Sequence, residues 1–218
     1  MLTGLLGGSF NPAHSGHRRI TQFSIDRLQL DDAWWLVSPG NPLKARKGMG
    51  PLGARLKSAR SQARRTSIVP TVIERELGTR YTLETLRKLK RRYPKRQFVW
   101  LMGSDNLAQF HRWKGWRDIA RLVPIAVIAR PGYNGAAMTS PAMAWLRRYR
   151  VPVASIRNPS SSNTKHARAP ALVFMRFDPD SSSATAIRRD NADWASEYQG
   201  ATPRDVLTFR LVEERDVA

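Results

Sequence analysis

Short apolar runs closed by glycine or proline recur along the first two thirds of this chain, with stretches of helical character between them. Leu2–Leu6 ends in Gly7–Gly8, Ala33–Val37 in Ser38–Pro39–Gly40–Asn41–Pro42, Gln97–Met102 in Gly103, and Ile125–Ala129 in Arg130–Pro131–Gly132. Runs this short and this uniformly apolar suit strands covered on both faces. Ser67–Val69 and Leu172–Phe177 read as further strands. Between them, Ser15–Leu28 carries Ile20, Phe23 and Leu28 on one stripe with Ser15 as a candidate N-cap. Leu52–Arg65, Thr82–Arg92, Asp105–His111 and Trp116–Leu122 read as helices, and others are expected from Ser183 and from Pro203. Strand–helix alternation of this kind predicts a doubly wound parallel α/β sheet. No repeat or composition break divides the chain, so one domain over residues 1–218 is expected, with a helical C-terminal part at about 183–212. Asn158–Pro170, rich in Ser, Asn, Pro and basic residues, is expected to be a mobile loop. Ligands of such sheets bind at the carboxyl ends of the strands, which directs attention to the loops after Leu6, Val37, Met102 and Ala129.

Composition narrows the function classes. The chain has no cysteine, which excludes disulfide scaffolds, thiolate metal sites and cysteine nucleophiles. No stretch approaches the roughly 18 consecutive apolar residues of a membrane span, and Met1–Phe10 lacks the basic start of a signal peptide. A soluble, cytoplasmic protein without a membrane partner is the expectation. Lys and Arg number 37 against 17 Asp and Glu, for a formal charge of +20. Seventeen basic and only three acidic residues lie between Lys44 and Arg96. Such a field favours polyanionic partners, nucleotides and nucleic acids among them, but a basic soluble surface would look the same.

The sharpest local signal is Gly7–Gly8–Ser9–Phe10–Asn11–Pro12–Ala13–His14–Ser15–Gly16–His17, placed between the first strand and the first helix. Glycines let backbone approach a ligand closely, and free N–H groups at a helix start favour an anion. His14–x–Gly16–His17 brings two of the chain's four histidines to that entrance. The pattern is neither the dinucleotide fingerprint G-x-G-x-x-G nor a P-loop ending in Gly-Lys-Ser/Thr. A second signal is Ser183–Ala184–Thr185–Ala186–Ile187–Arg188, where two hydroxyls stand at a helix N-terminus one turn before a guanidinium.

Together these segments resemble the two signatures of the nucleotidylyltransferase superfamily, H-x-G-H and S-[ST]-[ST]-x-I-R, the second in an Ala-containing form. The middle of the chain selects a branch. Met102–Gly103–Ser104–Asp105–Asn106–Leu107, followed by Phe110, Trp113 and Trp116, resembles the G-[AS]-D-N-L…F-x-x-W pattern of bacterial nicotinate (nicotinamide) mononucleotide adenylyltransferases. Tyr81–Thr82–Leu83–Glu84–Thr85–Leu86 is similar to that family's S-Y-T-x-x-T-L, with Arg80 in the place of Ser. Ala129–Arg130–Pro131–Gly132 matches its A-R-P-G loop, and Pro39–Gly40–Asn41–Pro42–Leu43–Lys44 its P-x-x-P-x-K loop, with Leu43 where many members have histidine.

The resemblance implies a Rossmann-like fold and adenylyl transfer from ATP, with Mg2+, to nicotinate mononucleotide. It implies catalytic roles for His14, His17 and Arg188. ATP would meet Gly8, Ser9, Phe10, His14, Gly16, His17, Gly103, Ser104, Asp105, Ser183, Thr185, Ile187 and Arg188. The mononucleotide would meet Ser9, Asn11, Lys44, Tyr81, Thr82, Trp113 and Arg130. It implies an ion held by phosphates and water, with no protein metal ligand named. Two alternatives stay open: an enzyme like pantetheine phosphate adenylyltransferase, which lacks the Asp-Asn-Leu…Trp pattern, and a non-enzymatic RNA-binding protein. The second would need aromatics among the basic residues, and Lys44–Arg96 offers only Tyr81 and Tyr93. Nucleic acid is therefore not the expected partner, and nothing in the sequence sets the oligomeric state.

Overall fold

A computed structural model of the protein describes residues 1–40, 48–129, 134–156, 168–177 and 183–213. Among these, six strands form one sheet: β1 (Leu2–Gly8), β2 (Asp32–Val37), β3 (Ile68–Thr71), β4 (Gln97–Gly103), β5 (Ile125–Ala129) and β6 (Leu172–Arg176). Their order is β3-β2-β1-β4-β5-β6, and every pairing is parallel. This is the doubly wound arrangement in which strand order reverses between β1 and β4. The helices are α1 (Ser15–Leu28), α2 (Leu52–Ala63), α3 (Ile73–Glu76), α4 (Thr82–Arg92), α5 (Ser104–Gln109), α6 (Trp116–Leu122), α7 (Asn134–Met138), α8 (Pro141–Leu146) and α9 (Ala184–Asp190).

Period-two alternation divides the core into two layers. On β2, Trp34 and Trp35 are neighbours in sequence yet point to opposite faces. Trp35 packs with Leu6, Leu56, Leu101 and Ile128. Trp34 packs with Leu5, Leu86, Trp100 and Phe110. Both tryptophans are buried, which is why neither face of the strand reads as polar. Each indole N–H is satisfied, Trp35 donating to Thr21 Oγ1 at 2.9 Å and Trp34 to Asp32 Oδ2 at 3.2 Å.

Several expected boundaries shift. Ser15 is the first helical residue of α1, and His14 is its N-cap, in extended backbone. The His14 N–H donates to Nδ1 of His17 at 3.3 Å, so the His17 imidazole takes the part that a Glu or Gln side chain plays in a capping box. β3 runs past Val69 through Pro70, which an edge strand tolerates. α3, α7 and α8 escape the sequence because each is too short to show a periodic stripe.

The helix expected from Pro203 does not form. That segment folds into a tight turn closed by an antiparallel bridge between Arg204 and Leu211. Asp205 dictates the turn from inside. Its buried Oδ2 accepts from the Thr71 hydroxyl and the Val72 N–H, both at 2.7 Å. Its Oδ1 accepts from the N–H groups of Leu207 and Thr208 at 3.0 Å. The local cap would serve a helix equally well, but the bonds to Thr71 and Val72 hold the carboxylate against the sheet edge. Most of the expected loop Asn158–Pro170 lies outside the described residues.

Asp205→Ala should destabilise the protein by about 3 kcal/mol in urea denaturation, since it strands several buried donors at once. A loss below about 0.5 kcal/mol, the size of an ordinary surface substitution, would mean that the turn is not docked.

Candidate active site

A cavity of about 570 Å³ opens at the carboxyl ends of β1, β2 and β4, where the strand order reverses. The loop after β1 forms one wall. Gly8 leads into Phe10, whose φ of +46° is left-handed backbone, uncommon for a residue with a side chain. Packing holds it there: the Phe10 ring is buried and stacked on Trp35 with centroids 5.0 Å apart and planes 20° apart. A Cβ on Gly8 would meet that ring at 3.2 Å, so glycine is what lets the turn close.

Arg55 fastens this loop from behind. Although only 2% exposed, its guanidinium donates to the carbonyls of Ser9 at 2.9 Å, Ser38 at 2.6 Å and Gly50 at 2.9 Å. It joins the loops after β1 and β2 and the approach to α2. In the sequence Arg55 is one member of a basic stretch, with no local signal to set it apart. Asn11 works alongside it, donating to the Gly48 carbonyl and accepting from the Gly50 N–H, both at 2.9 Å.

His14 and His17 line the cavity with ring centroids 3.9 Å apart. Because His17 Nδ1 accepts a hydrogen bond, the neutral ring carries its proton on Nε2 and offers that atom as a donor. Gly103, Asp105, Tyr81, Thr82 and Trp113 line the same cavity. Asp105 Oδ1 is buried and has no hydrogen-bond partner among the described residues. Trp113 is half-buried and meets Trp100 and Phe110 nearly edge to face, at 6.1 and 5.3 Å. Lys114 Nζ lies 4.2 Å from the centre of the Tyr81 ring.

Gly8, Ser9, Phe10, Asn11, His14, His17, Tyr81, Thr82, Gly103, Asp105, Trp113 and Ser183 thus border one space. Gly16 and Ser104 are buried beneath it without lining it. Thr185, Ile187 and Arg188 also stand off the wall. Ile187 faces a smaller cavity of about 350 Å³ with Pro12, Trp194 and Tyr198. Arg188 donates from Nη1 to the Asn11 carbonyl, so the second motif is bonded directly to the first. Ser183 caps α9 by accepting from the Ala186 N–H at 3.0 Å. Lys44 and Arg130 lie outside the described residues.

One lining residue had no motif to announce it. Glu74, on α3, sits in the mixed run Glu74–Arg75–Glu76 and turns its carboxyl to the cavity wall. Burial pushes this carboxyl up to about 7, although the hydrogen bond from Thr85 works in the other direction. Arg80, a further cavity residue, lies on the same side.

A family model described as cytidylyltransferase-like matches residues 5–190, taking in both motifs and all of the sheet but the first residues of β1. The chain belongs to the cytidylyltransferase-like family. Among its relatives is a protein of Erythrobacter litoralis, 60% identical over 210 residues, 96% of this chain and 94% of that one. Another, of Cereibacter sphaeroides, is 50% identical over 188 residues, 86% of this chain and 97% of that one. Both bear the name probable nicotinate-nucleotide adenylyltransferase. Of solved structures, the Plasmodium falciparum nicotinic acid mononucleotide adenylyltransferase complexed with APC superposes with a TM-score of 0.59. It is 13% identical, covering 90% of this chain and 93% of that one. At that identity the likeness concerns the Rossmann-like fold alone. No described helix is long and apolar enough to cross a membrane.

Glu74 makes stability depend on pH in a defined direction. In the unfolded chain its carboxyl ionises near 4.5, and in the folded protein near 7. Between those values the folded state holds the extra proton, so this group's contribution to stability falls as pH rises and levels off above about 7. Glu74→Gln should remove that decline. Thermal unfolding from pH 5 to 8 should show the melting temperature of the variant gaining on wild type as pH increases. A constant difference would mean that the carboxyl is not withdrawn from water.

Proposed function

We propose that this protein transfers the adenylyl group of ATP to nicotinate mononucleotide, forming deamido-NAD and pyrophosphate in NAD biosynthesis, as a cytoplasmic enzyme acting through a single catalytic unit. The observation that carries this is one cavity bordered at one end by the glycine loop with its paired imidazoles, and at the other by Trp113, Tyr81 and Thr82. The first end suits a triphosphate and the second a flat pyridinium ring on a ribose phosphate. The names of relatives at 50–60% identity point to the same reaction.

The chemistry asks for alignment rather than for a protein nucleophile. The phosphate of the mononucleotide attacks the α-phosphorus of ATP and pyrophosphate leaves, with the attacking and leaving oxygens in line. The attacking oxygen is already anionic at neutral pH, so no strong base is needed. What the protein supplies is placement and donors for charge growing on the leaving group. His17 Nε2–H, His14 and the amides of Gly8 to Phe10 are proposed to meet the phosphates. Arg188, bonded to the Asn11 carbonyl, is proposed to hold the glycine loop against α9 and to lend positive charge. The unpartnered Oδ1 of Asp105 suits a ribose hydroxyl. Lys44 and Arg130 are proposed, from sequence alone, as further phosphate partners.

Mg2+ is proposed to accompany ATP. Among the described residues no cluster of three or more His, Cys, Asp or Glu could hold an ion by itself. The imidazole- and amide-lined end of the cavity fits a magnesium carried on phosphate oxygens and water, where it would act as a Lewis acid.

His17→Ala should lower kcat about 100-fold or more with a smaller change in KM, as expected on removing a donor to developing charge. Pyrophosphate release measures it, and near-normal turnover would remove His17 from the mechanism. Trp113→Ala should raise KM for the mononucleotide while leaving KM for ATP nearly unchanged, at a cost of about 1 kcal/mol. Equal loss for both substrates would make Trp113 a packing residue. In kcat/KM the acid should be preferred over nicotinamide mononucleotide by roughly 5- to 150-fold, the range for a mismatched buried polar group. Parity under identical salt and magnesium would refute acid specificity.

A further inference from the structure

The turn that carries Tyr81 and Thr82 into the cavity rests on a buried hydroxyl cluster with a carboxyl at its end. Thr85, fully buried on the first turn of α4, lies at the junction. Its Oγ1 is 3.1 Å from Glu74 Oε1, 2.8 Å from Thr79 Oγ1 and 3.3 Å from the Tyr81 carbonyl oxygen. Thr79, also buried, is tied to the Glu74 carbonyl through its N–H at 3.0 Å and its hydroxyl at 3.3 Å. The Thr85 hydroxyl has one proton and three acceptors within reach, so only one acceptor can receive it. An ionised Glu74 is the strongest of them and takes it. A protonated Glu74 instead donates to Thr85 and frees the Thr85 proton, which Thr79 Oγ1 and the Tyr81 carbonyl then share, adding at Tyr81 to the bond from the Thr85 N–H at 3.1 Å.

We propose that Glu74 and Thr85 are proton-dependent positioning residues for the mononucleotide, the hydrogen-bond chain Glu74–Thr85–Tyr81 reinforcing the recognition turn while Glu74 is protonated. This rests on the adenylyltransferase reading of the cavity and adds to it the control of its pyridine end. The network is enclosed enough to switch in the neutral range, as the upward displacement of the Glu74 carboxyl by burial indicates. No ion pair reaches Glu74 among the described residues. The charged groups on the elements around it are otherwise engaged or stand on the cavity wall. Arg75 donates to the Glu213 carbonyl, Glu76 pairs with Arg210, Asp205 holds Thr71 and Val72, and Lys88 donates to the Leu77 carbonyl. Glu84 pairs with Lys114, and Arg80, Arg112, Lys114 and Asp105 line the same cavity. On β2, Asp32 lies at the far end of the strand, paired with Arg96.

The test is KM for nicotinate mononucleotide, KM for ATP and kcat in the full chain from pH 6.5 to 8.5, above the titration of the substrate's own phosphate near 6. Wild type should show KM for the mononucleotide rising about five-fold over this range, the equivalent of one ordinary hydrogen bond. KM for ATP and kcat should stay level. Glu74→Gln, whose amide donates to Thr85 at every pH, should abolish the slope and hold KM at the low value. Thr85→Val should also abolish it, at the high value, and Thr85→Ser should restore it. If Glu74→Gln fails to fold, the Thr85 pair decides alone. A slope that survives Glu74→Gln or Thr85→Val, or one shared equally with ATP, overturns the inference and leaves the adenylyltransferase function standing. Wild-type protein that turns over neither mononucleotide overturns both.

Discussion

A single guanidinium holds the catalytic end of the molecule together. Arg55 is withdrawn almost completely from water and bonded to three backbone carbonyls from three separate connections. Burying a cation is costly, and carbonyl dipoles offset part of that cost here with charge-assisted hydrogen bonds. The return is geometric. With the Ser9 carbonyl fixed, Phe10 can be held in left-handed backbone by its stack on Trp35, and the imidazoles of His14 and His17 follow at a set distance. Arg188 adds a tie from the opposite side by binding the next carbonyl but one, that of Asn11. Two arginines therefore grip carbonyls of the loop that lines the cavity.

That division of labour suits a reaction between two polyanions. Neither reactant has to be activated by a strong base, and the difficulty lies in bringing like charges together with the correct approach. A strongly basic chain lowers the encounter barrier in general, while the neutral donors of the cavity act only once the phosphates have arrived.

Much of this could be read in the amino-acid order, because the informative features are local. The Gly7–His17 loop, the Gly103–Trp113 stretch and the Ser183–Arg188 helix start are short patterns whose meaning depends on backbone within a few residues. The doubly wound parallel sheet followed from the same alternation. The misses share one cause, which is distance along the chain. Arg55 acquires its role from carbonyls as many as 46 residues away. Glu74 depends on Thr85, in the next helix. Asp205 turns an expected helix into a pinned turn because Thr71 and Val72 compete for its carboxylate. In each case a polar side chain was solved by tertiary partners that no window of sequence contains.

The Asp205 contact also has a bearing on synthesis. The partners it secures lie 134 and 133 residues earlier, at the close of the edge strand and just before the short helix carrying Glu74. A ribosome delivers those partners long before it delivers the carboxylate. Through that interval the emerging chain can already pair β1, β2 and β4, yet the sheet edge beside Glu74 has donors with no acceptor. The edge beside Glu74 therefore closes after its own strand is made, on a partner from a distant segment.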